Sequence, residues 1–215
     1  MTQTQLVRRV LKPVVFVAAL GPFLWLVYNA FWGDLGVNPV ETITNETGIW
    51  TLRLLAASIA ITPIRWLTKW NPIINLRRMV GLFAFFYGTV HFMIYFVLDR
   101  SLMFDGLWED IVKRPYITVG MLAFTILVPL AATSNNAMIR RLGARAWQRL
   151  HKLVYVATAA AAIHFVMLVK SWWTPEPAIY ATLVTALLIM RLWLHAQKRL
   201  WPKPRPVSRP VSAEG

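Results

Sequence analysis

The sequence predicts an all-α protein: an integral membrane bundle of six transmembrane helices with both termini cytoplasmic. Three observations carry that prediction. The 215 residues are 57% hydrophobic with a mean hydropathy of +0.51, and only 15% are charged, less than a soluble domain of this size carries. The apolar stretches run about 18 to 21 residues, enough to cross a hydrocarbon core of about 30 Å. The basic residues also gather in alternate connections, as a chain that crosses a membrane repeatedly requires.

The first span is placed at 13–31. Arg8, Arg9 and Lys12 precede it, as cations precede the core of a signal peptide. The run is too long for such a core, and no A-x-A cleavage site follows, so it is read as a retained helix. The remaining spans fall at 50–68, 79–98, 116–133, 150–170 and 177–195. Their connections are short, leaving no room for a soluble domain between them. Residues 1–200 are therefore read as one transmembrane domain. Residues 201–215, with Pro202, Pro204, Pro206 and Pro210, read as a disordered, Pro-rich cytoplasmic tail.

Charge sets the orientation. The N-terminus, the 65–78 loop, the 140–152 loop and the C-terminal tail hold 18 of the 23 Lys and Arg and one acid, Glu214. The opposite connections hold five basic residues and eight acids: Asp34, Glu41, Glu46, Asp99, Asp105, Glu109, Asp110 and Glu176. Positive loops stay inside, which puts both termini in the cytoplasm. A missed or invented helix would scramble this alternation. Ten of the 11 Trp lie near span ends, where an aromatic belt sits. The net charge of +14 is thus explained by topology rather than by nucleic acid. The absence of Cys excludes disulfides, thiolate nucleophiles, iron–sulfur clusters and covalently attached haem.

Ionisable residues within a bilayer are costly and usually functional. His91 lies just past the middle of the third span and His164 just past the middle of the fifth, and both spans run in the same direction. At about 1.5 Å per residue the two differ in depth by roughly 2–3 Å. Two imidazoles at matched depth on parallel helices are what a six-coordinate haem iron needs. Gly81, Ala84, Gly88 and His91 form one stripe of the third span, leaving a slot for a flat macrocycle beside the ring. Ala157, Ala160 and Ala161 lie one or two turns below His164. Small residues alone signify ordinary helix packing in membranes; together with the paired histidines they mark a haem site, with iron held by His91 and His164.

His151 precedes His164 by 13 residues, near the basic boundary. Two histidines at about this spacing can serve two stacked haems. On a straight helix, however, thirteen steps of about 100° put the rings on different faces. The matching depth on the third span is occupied by Arg77 and Arg78, which cannot ligate iron. His151 thus stands open between a second haem, a quinone head group and a lipid phosphate. Arg77 and Arg78, with Arg65 and Lys69, could hold a quinone or a flavin phosphate around His151, or contact anionic lipids. His195, in Arg191-x-x-x-His195-x-x-Lys198-Arg199, reads as interfacial.

The stretches Asn75-Leu76-Arg77-Arg78-Met79-Val80-Gly81-Leu82, Tyr87-x3-His91 and Trp147-Gln148-Arg149-Leu150-His151-Lys152-Leu153-x-Tyr155 resemble the ferric-reductase-like transmembrane domain. More closely, the chain resembles the haem-binding membrane subunits of bacterial periplasmic methionine-sulfoxide reductase systems, the MsrQ/YedZ family, over about residues 8–200. The resemblance implies a b-type haem cytochrome of the inner membrane with His91, His151 and His164 as haem-linked residues. It implies electrons drawn from the quinone pool or a cytoplasmic flavin reductase, with FMN associated. It implies delivery to a periplasmic molybdenum-containing catalytic subunit that repairs oxidised methionine. Eukaryotic ferric reductases carry an inner histidine on the third span that is absent here, and a fused flavin and nicotinamide domain that is also absent.

The sequence agrees with that division of labour. It holds no Gly-rich dinucleotide fingerprint, and six spans consume nearly every residue, so hydride cannot come directly from a soluble nicotinamide. With no thiol to reduce a sulfoxide, substrate turnover belongs to a partner, and no catalytic residue is assigned. If haem propionates are shielded from water they need cationic partners; Arg53, Arg100 and Lys170, at the outer span ends, are the candidates. Two rival classes use the histidines otherwise. A proton-coupled transporter would recruit intramembrane carboxylates, and no Asp or Glu falls in a span core. A passive membrane anchor would make the paired histidines a coincidence.

Overall fold

A computed structural model describes residues 2–99, 107–168 and 175–200. The predicted propionate candidates Arg100 and Lys170, and the tail 201–215, lie outside the described residues. Among those described, all regular structure is helical, and six helices are long and apolar enough to span a membrane. They are span 1 (Gln3–Trp32), span 2 (Pro39–Thr68), span 3 (Asn71–Leu98), span 4 (Pro115–Ala132), span 5 (Ala144–Leu168) and span 6 (Pro175–Gln197).

The first, second, third and fifth helices start before the apolar windows that predict them, and at the first two a side-chain cap rather than hydropathy fixes the start. At the start of span 1 the Thr2 hydroxyl accepts from the Gln5 N–H at 3.3 Å, while the Gln5 side chain accepts from the Thr2 N–H at 3.0 Å. Span 2 opens on Asn38, whose side-chain oxygen accepts from the Glu41 N–H, followed by Pro39 in the first turn. Its first turns therefore carry Glu41 and Glu46 beyond the apolar window. Short helices occupy connections that read as plain loops: Leu107–Lys113, and Asn136–Leu142 followed by Ala144–Leu150. Gly143, at φ 76°, makes the bend between the latter two, a left-handed position that favours glycine.

Span 5 is interrupted at His151 and Lys152 by a turn. There the Lys152 N–H bonds the Arg149 carbonyl and the Tyr155 N–H bonds the Lys152 carbonyl, three residues back instead of four. The straight helix assumed for the His151–His164 spacing is therefore not what forms.

Span 2 is the axial helix of the bundle, packed against spans 3, 5 and 6, while spans 4 and 5 pair with each other and span 3 touches span 4. Half of its apolar window is buried, against 11% for span 1, which lies at the periphery on spans 2 and 3. Leu55 of span 2 and Tyr87 of span 3 are both wholly buried in the main core.

Tyr87 also holds the peripheral helix in place. In an unbroken helix the Phe23 N–H would donate to the Ala19 carbonyl. Instead, the Tyr87 hydroxyl stands between them, accepting from Phe23 at 2.9 Å and donating to Ala19 at 2.8 Å. Pro22, lacking an N–H, leaves that turn one bond short and open to the insertion. Tyr87→Phe removes both bonds at a buried point and should cost about 1–2 kcal/mol, read as a lower thermal unfolding midpoint in detergent; an unchanged midpoint would remove the tether's role.

Candidate site: two facing imidazoles between helix hairpins

His91 and His164 meet in the bundle. Their ring centroids are 6.2 Å apart, with planes at 78°. Each ring is fixed the same way. His91 Nδ1 lies 3.0 Å from the Thr44 carbonyl oxygen of span 2, and His164 Nδ1 lies 2.6 Å from the Tyr116 carbonyl oxygen of span 4. A carbonyl only accepts, so in both rings the proton is on Nδ1, and Nε2 keeps its lone pair.

One helical turn beyond each accepting carbonyl is a glycine that makes room for the ring. A Cβ on Gly48 would stand 3.1 Å from His91 Cε1 and 3.2 Å from Nδ1; one on Gly120 would stand 2.9 Å from the same atoms of His164. The unit carbonyl-x-x-x-Gly thus occurs once on span 2, facing span 3, and once on span 4, facing span 5. Of the stripes read from sequence, Gly88 and Ala161 line the resulting cavity of about 280 Å³, whereas Ala84, Ala157 and Ala160 are buried packing residues and Gly81 lies elsewhere.

This geometry suits a metal carried by a flat ligand. With a metal–imidazole bond of about 2.0 Å and roughly 1.2 Å from ring nitrogen to ring centre, a linear imidazole–metal–imidazole axis would place centroids about 6.4 Å apart. The observed 6.2 Å fits, and each ring can turn about such an axis without changing that distance, so the 78° between planes is compatible. A second shell in which the ring N–H is held by a backbone carbonyl is what a metal-ligating histidine requires.

His151 is placed in a second cavity of about 410 Å³ at the basic end of the bundle, together with Arg77 and Arg78. Its ring stacks on Trp147 at 3.9 Å, and its Nε2 lies 3.0 Å from the Thr133 hydroxyl. That hydroxyl donates to the Pro129 carbonyl at 2.6 Å, so it accepts from His151, which carries its proton on Nε2. The tautomer is the reverse of the one at His91 and His164. Arg191 and Tyr155 line the same cavity, and the Tyr155 hydroxyl is buried with no hydrogen-bond partner among the described residues. Arg65 and Lys69 do not line it, and Arg65 Nε bonds Asn71 instead.

Arg53 also lies away from the histidine pair. Its Nε donates to the Tyr180 hydroxyl at 2.6 Å and its guanidinium sits 4.9 Å from the Trp50 ring centroid. The Arg that lines the His91–His164 cavity is Arg114. Gly48, Gly120 and Arg114 were not singled out from sequence; an isolated Gly inside an apolar helix is the signal that marks the first two.

The family described as "Ferric reductase like transmembrane component" matches residues 47–162, a range that holds Gly48, His91, Tyr116 and Gly120 and ends just short of Thr44 on one side and His164 on the other. Over the wider chain, three relatives are each named protein-methionine-sulfoxide reductase heme-binding subunit MsrQ. That of Ralstonia nicotianae is 46% identical over 192 residues, covering 86% of each chain. That of Herminiimonas arsenicoxydans is 45% identical over 196 residues, 88% of this chain and 87% of the relative. That of Brucella anthropi is 48% identical over 198 residues, 92% of this chain and 86% of the relative. The chain belongs to the MsrQ family of ferric-reductase-like membrane proteins.

The glycine cradle makes an ordered prediction. Gly120→Ala forces the His164 ring off its carbonyl and should lower the unfolding midpoint more than Gly48→Ala, whose contact is looser. Gly21→Ala, with nothing within 4 Å, should be neutral or stabilise by up to about 1 kcal/mol. Equal effects of the three changes on thermal unfolding would show that the glycines do not seat the imidazoles.

Proposed function

We propose that this chain is a b-type haem electron-transfer subunit of the bacterial inner membrane, with His91 and His164 as the two axial ligands of the iron. The observation that carries the reading is the facing pair itself: 6.2 Å between centroids, both Nδ1 protons held by carbonyls, both Nε2 lone pairs left for metal. The relatives' names supply the cofactor and the system, heme binding in a methionine-sulfoxide reductase. A haem held there by His91 and His164 would supply a one-electron couple, and an imidazole from each side would favour electron transfer over oxygen chemistry.

In this reading the residues of the chain bind, orient and insulate. Thr44 and Tyr116 fix ring tautomer and tilt, and Gly48 and Gly120 allow the approach. The basic-end cavity, with Arg77, Arg78 and His151, is the place where an electron donor docks: a quinone from the pool, or FMN associated with a cytoplasmic flavin reductase. Its arginines suit a phosphate or a reduced quinone, and the unpartnered Tyr155 hydroxyl offers a hydrogen bond. Leu55 and Leu127 line both cavities, so one side-chain layer separates donor from acceptor. The basic end faces the cytoplasm, and electrons leave on the opposite side to a periplasmic molybdenum-containing methionine-sulfoxide reductase. That partner performs the sulfur chemistry, since the chain holds no Cys.

A proton relay is the less favoured use of these histidines. Among the described residues neither cavity is lined by an Asp or Glu, and relays through membranes depend on such groups.

The reading is tested by optical spectra of the purified protein. His91→Ala or His164→Ala should abolish or greatly reduce the reducible Soret band, while His151→Ala should disturb the basic-end site more than this haem. Full haem content and an unchanged spectrum in both His91→Ala and His164→Ala would overturn the ligand assignment.

A further inference from the structure

A porphyrin seated between His91 and His164 brings two carboxylates with it, and a carboxylate at the edge of an apolar cavity needs a cation or a set of donors. Among the described residues lining its cavity, Arg114 is the single Lys or Arg. It stands two positions before Tyr116, whose carbonyl holds His164, so it sits at the depth of the imidazole pair. Its present partners are weak. Nε is 3.6 Å from Asp110, and Nη1 is 3.4 Å from the Tyr116 hydroxyl. The side chain is 55% exposed and able to turn toward the cavity. Tyr116 and Asn45 line the same cavity and add polar groups there.

Arg53, the one of the three cations expected at this level from sequence that lies among the described residues, is committed elsewhere, between Tyr180 and Trp50. A guanidinium in a short Nε bond with rings on two sides is not exchanged for a new partner without loss.

We infer that Arg114 is the carboxylate-binding residue of the His91–His164 cavity, its guanidinium leaving Asp110 to take a propionate of the bound haem. The inference rests on the haem reading and adds to it the residue that recognises the acid groups. The planar fork of Arg suits a carboxylate better than the point charge of Lys does.

The test uses the full chain purified haem-free in detergent and titrated with two probes, haemin and haemin dimethyl ester, whose acid groups are blocked. For the native protein, haemin should bind more tightly than its ester. Arg114→Gln should weaken haemin binding roughly three- to tenfold, the range for a charge-assisted bond at a half-exposed site. The same variant should leave ester binding unchanged, because the group it recognises is missing. Arg114→Lys should restore part of the difference, and Arg53→Gln should preserve it in full. Equal weakening of both probes by Arg114→Gln, or none of either, overturns the inference while leaving the haem site intact. Native protein that takes up neither probe with a bis-imidazole spectrum instead fails the underlying haem reading.

Discussion

The site depends on a hydrogen bond that is easily overlooked: an imidazole N–H given to a backbone carbonyl on the neighbouring helix. Without Thr44 and Tyr116, His91 and His164 would be free to rotate, to exchange tautomers, or to bond each other. With them, each ring has one defined donor and one defined lone pair. Both carbonyls lie within helices, where one lone pair already serves the residue four positions later, so the second is available at no cost to the backbone. The glycine one turn on is the complement of that bond, since a Cβ in its place would stand where the ring must lie.

The two cavities differ in kind because the elements around them differ. Around His91 and His164 the walls are mostly helical and apolar, and the rings are held by main chain. Around His151 the helix is broken, the ring is held by the Thr133 hydroxyl and a Trp147 face, and the walls include Arg77, Arg78 and Arg191. The first is a low-polarity environment in which both rings are held rigidly. A basic one suits reversible docking of an anionic or hydrogen-bonding molecule. The shared wall of Leu55 and Leu127 puts these two environments in series along the bundle.

Much of this was legible in the amino-acid order. The number of spans followed from hydropathy and from the alternation of charge, and the His91–His164 pair followed from depth alone. Helix starts at Gln3 and Pro39 were written in the patterns Thr-x-x-Gln and Asn-Pro-x-Glu, but a hydropathy window passes over polar turns that stand outside the apolar core. The break at His151 left no comparable signal, since neither Pro nor Gly marks it. The carbonyl partners were beyond reach of any side-chain reading, because Thr44 and Tyr116 act through atoms every residue has. Arg53 shows the limit of placing a cation by depth only, because its direction is set by Trp50 and Tyr180.

The carbonyl–Gly–His unit occurs twice, with Gly48 and Gly120 72 positions apart and His91 and His164 73 positions apart. Each copy belongs to one antiparallel helix pair, spans 2 and 3 or spans 4 and 5, and neither copy alone can clasp both faces of a disc. Any molecule held between the rings is therefore a cross-brace joining two halves of the bundle. Its loading and the mutual docking of those halves become one equilibrium, so saturation with cofactor tightens the whole membrane domain and depletion loosens the seam between the pairs.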